Sequence, residues 1–171
     1  SGYFYSSGFK AIYPSLENTE KIRILVGIST DYKTYATVKS AKELAGSEVG
    51  DIYASSVKKE LEEAEDSIDT EESVYKFKEW LQSGRIEIKA YQDEKIHSKV
   101  YIMTFDPDDR DKGRVITGSS NFTESGLRGN IEFNVELKNR LDYDYALERF
   151  NELWDKGVDV SEQYVETINQ E

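Results

Sequence analysis

Two short segments of the chain carry polar side chains of the types that bind and attack a phosphodiester. The first contains His97, the single histidine in the sequence, with Lys99 two residues further on. The second contains Ser119 and Asn121, preceded by Gly118. An ammonium group, a hydroxyl and an amide can hold the oxygens of a phosphoryl group, and a neutral imidazole can act as a nucleophile. The two segments together therefore indicate an anion site.

Each segment is a weak signal when it is taken alone. A lone histidine beside an apolar run is more often structural, and the stretch Gly118–Asn121 is compatible with an ordinary turn. In extended chain, however, side-chain alternation places His97 and Lys99 on one face, and it also places Ser119 and Asn121 on one face. The ends of two strands can then present all four side chains to one point, which favours a functional site over two unrelated turns.

The spacing of these residues resembles the signature of the phospholipase D superfamily, H-x-K-x4-D followed by G-S-x-N-F. The matching positions are His97, Lys99, Gly118, Ser119, Asn121 and Phe122. Asn130 and Glu132 fall where the metal-independent bacterial endonucleases of this superfamily carry an Asn-x-Glu. The specific resemblance covers about residues 95–135. A looser resemblance, from Ser1 onward, is to the phospholipase D-like domain that precedes the motor of some bacterial Swi/Snf-type helicases.

The resemblance implies a mechanism and a role for each residue. His97 is expected to attack phosphorus and form a phosphohistidine, and a second histidine is expected to protonate the leaving oxygen. Lys99, Ser119 and Asn121 are expected to bind the phosphoryl oxygens. Glu132 is expected to orient His97 and fix its tautomer, the alternative being a surface carboxylate at a strand edge. The family mechanism needs no metal and no other cofactor.

Three features depart from the family pattern. The chain contains one copy of the motif, so the second histidine must come from elsewhere. A homodimer whose two-fold axis passes through the cleft would supply it, and a partner domain in a longer parent protein is a less economical alternative. The family aspartate is replaced by Thr104, although Asp106 lies two residues further on and keeps strand parity. The acidic loop Asp106–Gly113 is also longer than in the small endonucleases.

The length of 171 residues predicts a single phospholipase D-like domain over residues 1–171. The opening at Ser1 and the abrupt end at Glu171 favour a domain excised from a longer helicase or restriction-type protein. The absence of cysteine favours a cytoplasmic protein. No apolar run reaches the roughly 20 residues that span a bilayer, and we recognise no signal peptide, so no membrane partner is expected.

The formal net charge of −12 is unusual for a protein that binds nucleic acid. Acidic residues concentrate in residues 51–72 and in residues 106–111, and such runs are usually solvated faces. Any contact with nucleic acid therefore requires a local basic patch or a parent protein that supplies affinity. The basic residues around the motifs, predicted to form a basic rim, are Lys95, Lys99, Arg114 and Arg128.

The hydrophobic pattern predicts an α/β fold, with a mixed β-sheet layered with helices. Strands are predicted at Lys21–Ile28 (a buried central strand), Arg85–Tyr91, Lys99–Phe105, Arg114–Thr117 and Ile131–Leu137. Helices are predicted at Asp51–Ile68, from an N-cap at Thr70 to Gly84, and at Asp142–Trp154 with Asp142 as the cap. The inner stripes of the last two are Val74, Phe77 and Leu81, and Tyr143, Ala146, Leu147, Phe150 and Trp154.

The sequence supports one leading function and one alternative. The leading hypothesis is a dimeric, metal-independent nuclease, most simply a DNA nuclease attached to a helicase motor or a restriction system. The alternative is a catalytically weak module of a helicase that binds nucleic acid or mediates dimerisation, which the net charge favours. A lipase is disfavoured because no lipid-binding amphipathic segment is present. A metal site at Asp106–Asp111 is disfavoured because the glycine and distal glutamate of a calcium loop are missing.

Overall fold

The computed structural model describes residues 6–27, 68–91, 96–122 and 125–161. Its helices are α1 (Ser6–Ile12), a 3-10 turn (Tyr13–Leu16), α2 (Ile68–Gln82), a π-helical turn (Ser125–Gly129) and α3 (Arg140–Lys156). Its strands are β1 (Ile22–Gly27), β2 (Ile86–Tyr91), β3 (Val100–Thr104), β4 (Gly113–Gly118), β5 (Asn134–Leu137) and β6 (Val158–Asp159). The helix predicted at Asp51–Ile68 lies outside the described residues, apart from Ile68.

The first of two sheets has the order β1-β2-β6, with β1 parallel to β2 and β6 antiparallel to it. Strand β2 is the most deeply buried of the three, since Ile86, Ile88 and Ala90 are each fully shielded from solvent. The strand at residues 22–27 was expected to be central, but within the described part of the chain β2 lies between the other two. The reason is that β6 returns along β2, pairing Val158 with Ala90.

Aromatic packing covers one face of this sheet. Phe9 of α1 contacts Phe77 and Trp80 of α2, with ring centroids 4.9 and 5.2 Å apart. These rings lie in one apolar cluster with Val26, Ile88 and other residues of the sheet. The cluster shows why the predicted inner stripe of α2 is apolar, because burying such rings is a main source of core stability.

The ends of α2 agree only in part with the prediction. The helix begins at Ile68, so Thr70 lies inside its first turn and is not the N-cap. At the other end the prediction is confirmed: Gly84 has a φ of +72°, and its amide donates to the carbonyl of Leu81 at 3.0 Å. A residue in the left-handed region is the usual way to end a helix, and glycine adopts it without a steric penalty.

The second sheet is an antiparallel meander with the order β3-β4-β5. Val100 pairs with Thr117, and Thr117 pairs with Val135. All three strands were predicted, and the observed strands differ mainly at their ends: β3 begins at Val100, and β5 begins at Asn134, three residues later than expected. Polar segments therefore precede β3 and β5 and follow β4, outside the regular hydrogen-bond ladder.

Helix α3 packs against both sheets. Its N-cap is Asn139, whose side chain accepts a hydrogen bond from the amide of Leu141 at 2.9 Å, so Asp142 is a first-turn residue and not the predicted cap. Trp154 packs with Leu25 and Tyr91, on the face of the first sheet opposite α2. Helices thus lie on both faces of that sheet, and the α/β layered fold is confirmed. Among the described helices none is long and apolar enough to cross a membrane.

Candidate active site

The antiparallel meander brings the three motif segments to one end of the second sheet. The segment that contains Lys99 precedes β3, the segment that contains Ser119 follows β4, and the segment that contains Glu132 precedes β5. Because neighbouring strands run in opposite directions, the start of β3, the end of β4 and the start of β5 coincide. Two backbone bonds beyond the strands extend the ladder: Gly118 donates to the carbonyl of Lys99 at 3.3 Å, and Ser119 donates to that of Phe133 at 3.1 Å.

His97 and Lys99 lie just outside β3. The His97 side chain is exposed, and its ring makes no hydrogen bond to any residue within the described part of the chain. Lys99 is half-buried, and its Nζ donates to the backbone carbonyl of His97 at 2.9 Å. An exposed, unpaired imidazole is accessible to a ligand, and the ammonium group lies beside its backbone. The ammonium group contacts the His97 backbone, and the placement of the two side chains on one face stays a prediction.

Ser119 and Glu132 are joined directly. The Ser119 hydroxyl donates to one carboxylate oxygen of Glu132, and the other carboxylate oxygen accepts from Asn130 Nδ2 at 3.3 Å. Ser119 Oγ also accepts from the amide of Phe133 at 3.0 Å. Glu132 therefore holds the Ser119 hydroxyl in this structure. Its expected role in orienting His97 stays a prediction, since within the described residues no hydrogen bond joins the two.

Asn121 provides a polar atom with an unmet hydrogen-bonding capacity. Its side chain is half-buried, and its Oδ1 is shielded from solvent without a hydrogen-bond partner in the described structure. Leaving a buried amide oxygen unpaired costs free energy, so native proteins rarely do so without a reason. The unpaired atom is an acceptor, whereas a phosphoryl oxygen needs a donor, so the role of Asn121 in binding substrate would fall to its Nδ2 and stays a prediction.

Ser120 lies between Ser119 and Asn121, the two residues predicted to bind phosphate. It is buried and forms hydrogen bonds with residues of both neighbouring strands. It is only 3% exposed. Its carbonyl accepts from the Tyr101 hydroxyl at 2.9 Å, and its own hydroxyl accepts from Asn134 Nδ2 at 2.7 Å. Asn134 Oδ1 also accepts from the Ser120 amide at 3.4 Å. We call this set of contacts the Ser120 clamp.

The sequence analysis did not identify the two residues that form the clamp. Tyr101 lies two residues after Lys99, so strand alternation predicts that both side chains lie on one face of the predicted strand. No other feature of the sequence indicated a contact between Tyr101 and Ser120. Burial, together with the negative charge of nearby Glu132, raises the pKa of Tyr101 to about 12. The phenol is therefore protonated at all ordinary pH values and remains a donor to Ser120. Asn134 was predicted as part of the strand Ile131–Leu137, and nothing in its local pattern indicated a contact with Ser120.

Gly118 is required by the close approach of β5. A Cβ atom at this position would overlap the carbonyl oxygen of Phe133 and both the side chain and the Cα of Asn134. The approaching group is the backbone that directly follows Glu132. The absence of a side chain at Gly118 thus allows the second and third motif segments to pack together.

Thr104 takes part in a contact between β3 and α3. Its hydroxyl lies 2.8 Å from the hydroxyl of Tyr143, the buried tyrosine of the first two turns of α3. Asp106, the alternative to the family aspartate, is exposed and lies in the loop that follows β3. At this position, therefore, a neutral hydroxyl pair links the sheet to the helix.

The structure does not support the predicted basic rim. Arg114 forms a 2.8 Å hydrogen bond with Glu136 and holds the pKa of that carboxyl below its usual range. It lies four residues before Gly118, or about 13 Å along an extended strand. Arg128 donates to the carbonyl of Ala11, which ties the π-helical turn to α1. Lys95 is outside the described residues. Lys99 is thus the one member of the rim that the structure places at the site.

The site also differs from a metal centre. Within the described residues no group of three or more histidine, aspartate or glutamate side chains is arranged to hold a metal ion. The segments that meet here carry an ammonium group, a serine hydroxyl, an amide and an exposed imidazole. The fold and the site together define an α/β domain that carries one set of candidate anion-binding residues at the end of a β-meander.

Comparison with protein families identifies this class further. The family model described as cardiolipin synthase, PLD-like domain matches residues 9–154. Because the match covers most of the chain, the protein belongs to this family of phospholipase D-like domains. Membership points to phosphodiester chemistry at the level of the superfamily. A search of the curated proteins found no match.

Proposed function

We propose that the protein is a metal-independent nuclease of the phospholipase D type that cleaves nucleic acid, most simply DNA. The observation that supports this most strongly is the meeting of His97 and Lys99 with the Ser119 segment through the bond from Gly118 to the carbonyl of Lys99. That contact joins the two segments whose spacing resembles the motif at which the superfamily binds a phosphodiester. Nucleic acid is the substrate because the motif arrangement resembles the small endonucleases of the superfamily.

The proposed reaction has two displacement steps. The neutral imidazole of His97 attacks phosphorus, a P–N bond forms, and the bond from phosphorus to the leaving ester oxygen breaks. A second histidine donates a proton to that oxygen. Water then attacks the phosphohistidine, gives its proton to the second histidine and releases His97. Lys99, Ser119 and Asn121 stabilise the charge on the phosphoryl oxygens in both transition states.

The second histidine is proposed to be His97 of a second copy of the chain. The sequence has one histidine, so a single chain cannot supply both the nucleophile and the acid. A two-fold axis through the cleft places two identical half-sites face to face, since an isologous interface presents the same residues from both copies. The substrate phosphate then lies between two imidazoles and two ammonium groups, which also offsets locally the net charge of −12.

A cleavage assay without metal tests the function. Purified wild type and His97→Ala are incubated with single-stranded and double-stranded DNA and RNA in excess EDTA. We expect cleavage by wild type alone, together with a covalent adduct of mass equal to one phosphorylated product on denatured protein. Cleavage by both proteins would indicate another site or a contaminating nuclease. The absence of cleavage on every substrate would contradict the proposed function.

The dimeric site can be tested separately by subunit mixing. Wild type at constant concentration is allowed to exchange subunits with an equal amount of His97→Ala. If every site needs two copies of His97, random pairing leaves about half of the activity, because only dimers with two intact copies remain active. An unchanged rate would mean that one chain is sufficient. In the control, wild type is mixed with an equal amount of the exposed-surface variant Tyr75→Phe, which reports any effect of dilution or of subunit exchange itself.

The second candidate function is a binding module that grips nucleic-acid phosphate with little turnover. Net charge favours this alternative, because −12 opposes tight contact with a polyanion and the structure engages Arg114 and Arg128 in internal contacts. Salt-dependent binding of DNA without cleavage, lost in Lys99→Ala, would support it. We further propose a cytoplasmic protein in which a helicase motor accompanies the domain and supplies affinity that the acidic surface lacks.

A further inference from the structure

We propose that Tyr101 and Asn134 are positioning residues that set the geometry of the phosphate-binding pair Ser119 and Asn121 by fixing Ser120 between them. The inference deepens the proposed function, on which it rests, and concerns residues outside the family signature. Neither residue is expected to touch the substrate. Each acts through Ser120, which lies between Ser119 and Asn121 in the sequence and is almost completely buried.

The contacts of Ser120 restrain it from opposite directions. From β3, the Tyr101 hydroxyl donates to its carbonyl at 2.9 Å. From the start of β5, the Asn134 side chain bonds both its hydroxyl and its amide, at 2.7 and 3.4 Å. Strand β4 ends at Gly118, two residues before Ser120. The bonds from Tyr101 and Asn134 are therefore the side-chain contacts that fix Ser120 to β3 and β5. Three hydrogen bonds therefore replace the ladder where the motif leaves the strand.

The position of Ser120 determines the direction of its neighbours. A change in the backbone dihedral angles of one residue redirects the side chains of the residues before and after it. Ser119 must present its hydroxyl towards Glu132 and the phosphate, while Asn121 keeps a half-buried amide. A misplacement of about 1 Å at a reacting group can reduce a rate by roughly a hundredfold. A restraint on Ser120 is therefore worth more to catalysis than to overall stability.

The same contacts connect all three motif segments. Tyr101 is on the strand that follows Lys99, Ser120 is within the second motif, and Asn134 is two residues after Glu132. The Tyr101 ring also packs near Phe122, with centroids 6.2 Å apart, so the segment is supported on its far side as well. The clamp thus sets the spacing of the three segments and not only the conformation of one.

Amide hydrogen exchange, measured by NMR on the whole chain, tests the clamp directly. In Tyr101→Phe and in Asn134→Ala we expect the amides of Ser119 and Ser120 to exchange roughly tenfold faster, while amides in β2 keep the wild-type rate. Tyr75→Phe is the matched control, because Tyr75 is 68% exposed on α2. If exchange at Ser119 and Ser120 stays at the control rate, or rises equally throughout the chain, the positioning role is wrong.

A ligand measurement separates positioning from simple destabilisation. Titration with inorganic phosphate, followed on the signals of the folded protein, should show a dissociation constant raised roughly threefold or more in Tyr101→Phe. A merely structural role would leave that constant unchanged, because only folded molecules are observed, and this result would overturn the inference. If Asn134→Ala fails to fold, Tyr101→Phe alone decides the question.

The failure of this inference and that of the proposed function are distinguishable. A wild type that cleaves no phosphodiester disproves the nuclease, while hydrogen exchange and phosphate binding still decide whether the clamp orders the motif. Conversely, an active wild type with unaltered exchange and phosphate affinity in Tyr101→Phe retains the nuclease and disproves the clamp. When wild type is active, Tyr101→Phe should reduce kcat by a larger factor than it changes KM, since the clamp places groups that act in the transition state.

Discussion

The Ser119 hydroxyl donates its single proton to the carboxylate of Glu132, while its oxygen accepts the amide of Phe133. In this state the hydroxyl has no second proton to offer to a phosphoryl oxygen. Binding an anion therefore requires the hydroxyl to rotate from the carboxylate to the ligand, or the carboxylate to become neutral. Glu132 thus competes with the substrate for the same donor, and its negative charge opposes the approach of a phosphate.

Replacing Glu132 by glutamine should therefore separate binding from turnover. We expect Glu132→Gln to bind inorganic phosphate several-fold more tightly, because a negative charge near the anion is removed. The same variant should lose turnover if Glu132 also orients His97. Isothermal titration and a phosphodiester assay measure the two effects. Equal or weaker phosphate binding would contradict the competition, and Ser119→Ala, which removes the donor, should bind more weakly than wild type.

Lys99 should be essential for turnover and dispensable for folding. Lys99→Ala removes the ammonium group, whose only protein partner in the described structure is the nearby carbonyl of His97. We expect the rate to fall by at least about a hundredfold, the usual effect of losing one donor to a developing anion. Circular dichroism and thermal unfolding should match wild type. Lys112→Ala, in the loop before β4, is the control and should keep full activity. Full activity of Lys99→Ala would disprove the site assignment.

Gly118 should tolerate no side chain. Gly118→Ala places a methyl group against the backbone of Phe133 and Asn134, which would push β5 and the Glu132 segment away from Ser119. Overpacking of this kind costs about 1–3 kcal/mol of unfolding free energy. Chemical denaturation measures the loss, and turnover should fall even under conditions where the protein is fully folded.

A second glycine provides the contrast. Gly84→Ala meets no atom within 4 Å, and its cost comes only from the positive φ of 72°. We expect about 1 kcal/mol of destabilisation and unaltered turnover at temperatures well below the transition. Equal effects of the two variants on turnover would mean that Gly118 has no special relation to the site.

The raised pKa of Tyr101 should produce an alkaline loss of stability. The phenol ionises near pH 10 in the unfolded chain but at about 12 in the folded protein. Between these values the unfolded state binds fewer protons than the folded state, so the free energy of unfolding falls as pH rises. This contribution is complete below pH 10 and is lost by about pH 12. Urea unfolding across this range should show a shallower decline for Tyr101→Phe, and identical slopes would contradict the assignment.

The sequence predicted the strands and the family because both depend on local patterns. Branched residues alternate with charges along Arg85–Tyr91, and the motif residues have distinctive types and spacing. Strand order is different, since it depends on which strand pairs with which at long range. Residues 22–27 contain an apolar run like that of a central strand, whereas among the described strands it is β2 that lies between β1 and β6. Local hydrophobicity cannot distinguish these two arrangements.

The caps and the clamp show a second limit of local reasoning. Asn139 and Asp142 are both good helix-capping residues, and the choice between them depends on where α3 meets the sheet. Tyr101 and Asn134 are separated by 33 positions in the sequence (134 − 101), and only the meander brings both to Ser120. Likewise, the cations expected around the site are paired according to tertiary neighbours such as Glu136. Residue types and spacing were sufficient to predict the candidate reacting groups, whereas the contacts that support them became visible only in the three-dimensional structure.

The bond from Arg128 to the carbonyl of Ala11 has a consequence for how the protein folds. It joins residues 117 positions apart, and Gly8 packs on Phe122 over a similar separation. Helix α1 therefore cannot pack beside the motif until the ribosome has added more than a hundred further residues. Closing so long a loop costs entropy before any contact compensates it, so the site should be among the last parts to form. An incompletely synthesised chain would therefore have no assembled site, whatever ligand the complete site accepts.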